Sequence, residues 1–178
     1  MLKKILAYGF IAGLVVGAPL FGITVALQGH PSPGWGVVVG YLTMLVALSA
    51  VFVAIKRQRD VEGGGVIGFW PAVGLGLGIS LVASLCYVLA WEAALAVTGI
   101  DFAGDYARGL IEQQKAAGVS GESLARFTAD MERFKVQYAQ PMYRLPMTFA
   151  EIFPVGVLVT LVSAALLRNS RFLPVRRG

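Results

Sequence analysis

Four long apolar runs, each without Lys, Arg or Asp, constrain this chain more than any other feature of its sequence. They cover residues 5–27, 35–55, 71–91 and 149–167. A membrane-spanning helix needs about 20 apolar residues, because each residue advances the helix by about 1.5 Å across a hydrocarbon core of about 30 Å. The runs therefore predict an all-α membrane protein with four transmembrane helices in a single domain, residues 1–178.

The composition also indicates a lipid environment. Hydrophobic residues make up 57% of the chain and charged residues 14%, whereas soluble domains carry roughly 45–50% apolar and about 25% charged residues. The net charge of +5 comes from short segments between the apolar runs and not from a stripe of alternating basic and aromatic residues. This pattern argues against nucleic acid as a partner and makes the lipid bilayer the expected one.

The positions of Lys and Arg predict the orientation of the spans, because short loops rich in these residues stay in the cytoplasm. The six basic residues of the long third connection are matched by six acidic ones. Nine basic residues lie on the opposite side of the membrane: Lys3, Lys4, Lys56, Arg57, Arg59, Arg168, Arg171, Arg176 and Arg177. Both termini are therefore expected in the cytoplasm.

The first apolar run has a second interpretation, because Lys3 and Lys4 before an apolar stretch are also typical of a secretory signal. Its 23 uncharged residues exceed the roughly 7 to 15 of a signal core. Length therefore favours a retained span. Charge does not distinguish the two alternatives, because cleavage would leave residues 56–59 in the cytoplasm.

The segment of about residues 99–147 is predicted to form a small extracytoplasmic helical hairpin between the third and fourth spans. Asp101 is expected to cap its first helix, Gly118 to close that helix, and Ser120 to cap the second. Pro141 and Pro146 are expected to end it.

The second predicted outer helix carries one apolar stripe, at three- and four-residue spacing. Its members are Leu124, Phe127, Met131, Phe134 and Tyr138. Two short helices bury too little surface to be stable alone, so the stripe must be covered. Packing within the chain is the favoured interpretation, and the membrane surface or another protein are the alternatives.

Small residues recur at four-residue spacing in three of the runs. They are Gly9, Gly13, Gly17, Gly36, Gly40, Ala72, Gly76, Ser80 and Ser84. Small side chains allow helices to approach closely in lipid. These rows predict helix packing within the four-helix bundle, with a homodimer face or a larger membrane-protein partner as the alternatives.

Glu92 and Glu151 are the carboxylates that touch the apolar runs, and both are expected near the outer boundary. An ionisable group at membrane depth is costly and therefore marks a candidate binding site for a proton or cation. For Glu92 the structural alternative is a solvated residue at the interface, beside the aromatic residue Trp91.

Glu151 has a structural alternative of its own. Thr148 precedes it by three residues, which is the spacing of a capping box at a helix start. Pro154 lacks a backbone N–H and frees the carbonyl of Ala150 beside the carboxylate. Pro154 is therefore included with Glu92 and Glu151 among the binding candidates.

No catalytic, metal or cofactor site is indicated. Cys86 and His30 are single residues of their kind, which excludes an intramolecular disulfide and multi-histidine metal sites. The nucleophile and cofactor motifs of known enzyme classes are missing, so we expect no enzyme and no cofactor. His30 is expected in an exposed loop. The basic residues at 56–59 and 171–177 are explained by their expected position on the cytoplasmic side of the membrane. Binding of anionic lipid head groups is the alternative.

Residues 148–156 read Thr-Phe-Ala-Glu-Ile-Phe-Pro-Val-Gly. Together with residues 161–168 they resemble the closing span of the bacterial membrane proteins of domain-of-unknown-function family 4199. The resemblance extends to the glycine-rich first span, to residues 56–65 and to residues 101–106. It implies a multi-pass protein of the bacterial inner membrane, and the family brings no assigned activity, cofactor or catalytic residue.

Two functional hypotheses follow from the sequence. The first is a structural or accessory component of a membrane complex, which requires no special chemistry. The second is a small oligomeric transporter or channel that couples to a proton or cation through Glu92 and Glu151.

Overall fold

A computed structural model of the protein describes residues 1–27 and 35–174. This part of the chain is helical and contains no strand. Its six α-helices are α1 Leu2–Ala26, α2 Trp35–Arg57, α3 Phe69–Thr98, α4 Phe102–Ala116, α5 Gly121–Tyr138 and α6 Pro141–Leu167. A π turn, Gln58–Glu62, extends α2. The helices α1, α2, α3 and α6 are long and apolar enough to cross a membrane, which confirms the predicted all-α fold with four spans.

Helix α3 lies at the centre of the bundle. The helices α1, α2 and α6 all pack on it, and α2 also contacts α1 and α6. In the most apolar stretch of each span, 56% of the residues of α3 are buried inside the bundle. The corresponding share in α1, α2 and α6 is only 28–33%. Most of the apolar surface of α1, α2 and α6 therefore faces outward, as expected for helices whose solvent is lipid.

The start of α1 and residues 168–174 lie at the same end of the bundle as the π turn, and we call this the terminal end. Lys4 contacts the carboxylate of Glu62. Arg59 is wholly buried, and its guanidinium donates hydrogen bonds to the carbonyls of Phe172 (2.8 Å) and Leu173 (2.7 Å) and to Asp60 Oδ1 (2.7 Å). This buried arginine therefore fixes Phe172 and Leu173 against the π turn.

The glycines of α1 lie where α1 approaches α3. A Cβ added at Gly9 would stand 2.5 Å from Val82 Cβ, and one at Gly13 would stand 2.4 Å from Cys86 Cβ. At Gly17 the nearest atom, Ala90 Cβ, would be 3.0 Å away. Since real Cβ atoms do not come as close as the first two distances, these positions allow a separation of the two helices that larger residues would prevent.

Helices α3 and α6 meet through a second set of small residues. A Cβ at Gly76 would stand 2.5 Å from Thr160 Cγ2, and one at Gly156 would stand 2.7 Å from Ser80 Cβ. The hydroxyls of Ser80 and Thr160 lie 3.4 Å apart. The middle of this interface is therefore filled by side chains in direct contact.

The other two glycines of the predicted packing rows belong to α2. A Cβ added at Gly40 would meet nothing within 4 Å, so this position faces open space. Gly36 lies in a stretch of α2 whose side-chain environment is outside the described part of the structure. His30 is likewise outside the described residues.

At the opposite end of the bundle, which we call the α4–α5 end, α3 and α6 are longer than predicted. Helix α3 continues past Trp91 to Thr98 and ends at Gly99, whose φ is +63°. Helix α6 begins at Pro141 and not at residue 149. An apolar run measures the hydrocarbon thickness, whereas a helix can continue into the polar interface as long as its backbone bonds are kept.

The prediction that Pro141 and Pro146 end the second outer helix is wrong. Helix α5 already ends at Tyr138, and Pro141 occupies the first turn of α6. A proline is tolerated there because the first N–H groups of a helix have no partner within it. Pro146 lies inside α6 and removes one backbone bond, to the carbonyl of Met142, a residue at an exposed position.

Helices α4 and α5 pack through aromatic side chains. Asp101 caps α4 as predicted, because its Oδ1 accepts a hydrogen bond from the backbone N–H of Gly104 at 3.0 Å. Ser120 precedes α5 but makes no side-chain cap bond. Phe134 of the apolar stripe on α5 lies 5.9 Å from Tyr106 between ring centroids. The stripe is therefore covered, at least in part, within the chain.

Candidate functional site

Polar side chains gather at the α4–α5 end, where α3 meets α6. The carboxylate of Glu92 accepts two hydrogen bonds from the guanidinium of Arg144, from Nε to Oε1 and from Nη2 to Oε2, both at 2.6 Å. The two side chains are 28% and 17% exposed. Paired bonds of this kind are stronger than single neutral ones. Glu92 is therefore neutralised by its neighbour on α6, and the pair joins the two helices.

The position of Glu92 agrees only in part with what the sequence predicts. It lies near the end of the bundle beside Trp91, but it is ion-paired rather than simply solvated. Arg144 was not recognised as its partner, because it counts among the balanced charges of the third connection. The seven-residue spacing of Arg144 and Glu151, which places both on one face of α6, is the signal in the sequence by which Arg144 could have been linked to this site.

Tyr138 joins α5 to the end of α3. Its hydroxyl accepts a hydrogen bond from Trp91 Nε1 at 2.8 Å, and its ring lies 5.6 Å from that of Phe102. The side chain is 6% exposed, and burial raises the pKa of Tyr138 to about 12. The phenol therefore keeps its proton at neutral pH. The guanidinium of Arg144 lies 5.8 Å from the centre of this ring, which places it within cation–π range.

Glu151 lies deeper along α6 and has a different partner. Its carboxylate accepts a hydrogen bond from the hydroxyl of Tyr87 on α3 at 3.2 Å. Seven residues separate it from Arg144, which is about 10 Å along the helix axis. Tyr87 is buried, whereas Glu151 occupies an exposed position on α6. The structure therefore gives Glu92 and Glu151 separate partners and different surroundings.

The capping box predicted for Thr148 and Glu151 is wrong. Helix α6 starts two turns earlier, after Gln140, so both residues lie inside the helix. The hydroxyl of Thr148 donates a hydrogen bond to the carbonyl of Arg144 at 3.1 Å, as hydroxyls inside helices commonly do. The free backbone donors that a capping box serves are found only in a first turn.

Glu151 interrupts an apolar surface stripe that we call the outward face of α6. Exposed residues follow one another at three- and four-residue spacing: Met147, Glu151, Pro154, Leu158, Leu161 and Ala165. Pro154 has no N–H to offer to the carbonyl of Ala150, which is also exposed. The carboxylate and this carbonyl are two hydrogen-bond acceptors on one otherwise apolar face.

The model of a family of proteins of unknown function, DUF4199, matches residues 7–169. The chain belongs to this family. The match covers most of α1 and all of the other three spans, and it confirms the resemblance noted from the sequence. No curated protein and no solved structure matches the chain.

The interior of this DUF4199 protein contains polar groups that are already paired. The hydroxyl of Ser84 donates to the carbonyl of Ser80 at 2.7 Å, and Ser80 in turn lies against Thr160. Throughout residues 1–27 and 35–174, no buried side-chain nitrogen or oxygen lacks a hydrogen-bond partner. Paired hydroxyls of this kind hold membrane helices together. The interior of the described ranges therefore contains no unpaired buried polar side chain that would indicate a ligand.

A cavity of about 290 Å³ opens beside the ion pair at the α4–α5 end and is lined by residues that include Phe102, Lys135 and Arg144. Both cations already have partners, since Lys135 contacts Glu132 at 2.9 Å and Arg144 binds Glu92. In the described ranges, no group of three or more His, Cys, Asp or Glu could hold a metal ion. Of the two glutamates predicted from the sequence, Glu151 therefore keeps more of its hydrogen-bond capacity unused.

Proposed function

We propose that this DUF4199 protein is an accessory subunit of a bacterial inner-membrane complex, and that a partner helix docks on the outward face of α6 at Glu151. In this proposal both termini are cytoplasmic and α4 and α5 lie outside the cell. The distribution of Lys and Arg supports this orientation. One observation carries the docking proposal: a glutamate at an exposed position of a helix that is apolar enough to span the membrane.

The depth of Glu151 makes its exposure costly. It precedes the end of α6 by 16 residues, which is about 24 Å of helix. In a hydrocarbon core of about 30 Å the carboxylate would then lie several Å below the boundary. A charged residue at a helix centre costs about 2.5–3.5 kcal/mol on insertion scales, and the cost falls toward the boundary. Tyr87 supplies one hydrogen bond, but a carboxylate has about four acceptor positions.

A partner helix with complementary chemistry would remove this cost. An Arg, Lys or amide side chain on that helix would donate to the carboxylate and to the carbonyl of Ala150. A second copy of the chain is a less suitable occupant of this face. A twofold interface would bring two Glu151 carboxylates toward each other, and like charges at short distance repel. The favoured partner is therefore a different membrane protein.

The alternative function is a small oligomeric transporter that couples to a proton or cation. The geometry favours it less for two reasons. The guanidinium of Arg144 already pairs with the carboxylate of Glu92, so of the two glutamates only Glu151 keeps an open carboxylate. The centre of the α3–α6 interface is closely packed, with Gly76 against Thr160. A transport path would have to run between copies of the chain, beside Glu151.

The test is photo-crosslinking in native membranes at natural expression level, followed by native mass spectrometry. A photoreactive residue replaces Leu158, which is 62% exposed on the outward face of α6. The control carries it at Leu85, which is 51% exposed on α3. We expect a single stoichiometric adduct at Leu158 and none at Leu85.

The chemistry of the interface is tested by Glu151→Gln, with Glu112→Gln on the exposed side of α4 as the matched control. We expect Glu151→Gln to abolish the adduct while the protein stays folded, and Glu112→Gln to keep it. A homo-oligomer without other proteins, whose proton flux in liposomes is lost in Glu151→Gln, would contradict the accessory role and establish the transporter instead.

A further inference from the structure

A second polar cavity lies at the terminal end, between the start of α1, the end of α2 and the π turn. Its volume is about 230 Å³, several times the roughly 30 Å³ that one water molecule occupies in the liquid. Its polar lining residues are Lys4, Tyr8, Arg57, Gln58 and Glu62. None of them takes part in the proposed docking at Glu151, which lies toward the opposite end of the bundle.

One rim of this cavity is held together by its own hydrogen bonds. Lys4 Nζ donates to Gln58 Oε1 at 2.6 Å and also contacts the carboxylate of Glu62. Gln58 Nε2 donates to Glu62 Oε2 at 2.7 Å. Lys4 and Glu62 therefore largely neutralise each other, and this part of the lining is fixed in position.

Arg57 differs from the rest of the lining. Its guanidinium makes no hydrogen bond or ion pair with any residue of the described ranges, and its side chain is exposed. With Lys4 and Glu62 balanced, Arg57 gives the cavity a net charge of +1. A guanidinium presents a planar set of donors that matches two oxygens of a phosphate. The unpaired group therefore points to an anionic ligand.

The position of the cavity indicates where that anion comes from. Lys4 stands before the apolar part of α1, and Arg57 follows the apolar part of α2. Large apolar side chains are exposed at the same end, with Trp70 at 77% and Val61 at 72%. Tryptophan is typical of the interface between hydrocarbon and water. The cavity therefore lies at the depth of the lipid head groups.

We propose that this cavity binds the phosphate of an anionic phospholipid. Arg57 pairs with the phosphate oxygens, and the Tyr8 hydroxyl donates a further hydrogen bond. The acyl chains remain in the surrounding bilayer. Such a lipid would fill the gap between α1 and α2 at this end, and its binding does not require the partner proposed for Glu151.

The experiment uses the full-length protein in vesicles of phosphatidylcholine that contain a minor fraction of phosphatidylglycerol. Native mass spectrometry of the released protein counts the lipids retained. We expect one retained phosphatidylglycerol for the native sequence. Arg57→Gln should weaken retention about tenfold, and Tyr8→Phe about threefold, from the loss of a charged and a neutral hydrogen bond respectively. Circular dichroism and thermal melting verify that both variants are folded.

Lys3→Gln is the matched control, because it removes the same charge at the same end from a residue outside the cavity lining. Retention should fall less in Lys3→Gln than in Arg57→Gln. An equal loss in the two variants would show general surface attraction and overturn the site. Equal retention of phosphatidylcholine, or displacement of the lipid by inorganic phosphate, would overturn the anionic phospholipid as the ligand.

Discussion

Replacing Arg144 by Gln removes both charged hydrogen bonds to Glu92 and the contact with the Tyr138 ring. The pair is largely shielded from solvent, with side chains 17% and 28% exposed, so screening reduces its energy only in part. We expect Arg144→Gln to lower the free energy of unfolding by about 2–3 kcal/mol, because it also leaves the Glu92 carboxylate partly buried and unpaired.

The assay is a double-mutant cycle with Glu92→Gln, measured by reversible unfolding in mixed micelles. The double variant should be less destabilised than the sum of the single variants, with a coupling energy of about 1–2 kcal/mol. The control cycle uses Asp105 and Arg108 on α4, whose side chains are 43% and 71% exposed. An exposed pair of this kind should couple by less than about 0.5 kcal/mol.

Two results would refute this reasoning. The Glu92–Arg144 pair could show a coupling energy no larger than that of the control pair. This result would mean that the ion pair does not stabilise the contact between α3 and α6. A stabilising effect of Arg144→Gln would mean that the cost of dehydrating the pair exceeds the attraction between its members.

Three further predictions concern other parts of the bundle. Arg59→Lys should destabilise the protein by about 2–3 kcal/mol and expose residues 172–174 to limited proteolysis, because the single ammonium nitrogen of a lysine cannot reach the three separate acceptors that Nε, Nη1 and Nη2 of the buried guanidinium contact; an unchanged digestion pattern would contradict this. Gly13→Val should cost about 1–3 kcal/mol through overlap with Cys86, whereas Gly40→Ala, with nothing within 4 Å, should be neutral or stabilise α2 by about 0.5–1 kcal/mol; equal thermal shifts would be inconsistent with the observed packing. Because the pKa of Tyr138 is raised to about 12, its contribution to stability should be complete below about pH 10 and lost as the pH rises through that value toward about 12; unfolding titrations on Tyr138→Phe should lack this loss.

The number of spans could be predicted from the sequence, whereas the ends of the helices could not. The length of each apolar run corresponds to the thickness of the hydrocarbon core, and all four runs are helices in the structure. The extension of α3 to Thr98 and the start of α6 at Pro141 lie outside the predicted apolar runs. In these segments Glu92 pairs with Arg144 and α6 contacts α5, and no local pattern encodes these contacts.

The candidate site was likewise predictable only in part. The cost of a carboxylate in lipid singled out Glu92 and Glu151. Their partners, Arg144 and Tyr87, lie on another helix, 52 and 64 residues away in the chain. The spacing of small residues predicted a packing stripe on α1 but not which helix the stripe would contact. The same spacing in α2 includes Gly40, which faces open space. In the sequence, Arg59 is one of the nine basic residues that predict the orientation of the spans. In the structure it is completely buried at the π turn.

The glycine stripe of α1 has a consequence for biosynthesis, because its main packing partner is α3 and not the next helix in the chain. The ends of α1 and α3 are 72 residues apart. At about 5–20 residues per second, a ribosome needs about 4–14 s to make that length. During this interval the newly inserted α1 meets lipid where Val82 and Cys86 will later pack. A nascent chain arrested before α3 would therefore present an open glycine groove to insertion factors and quality-control proteases in the membrane.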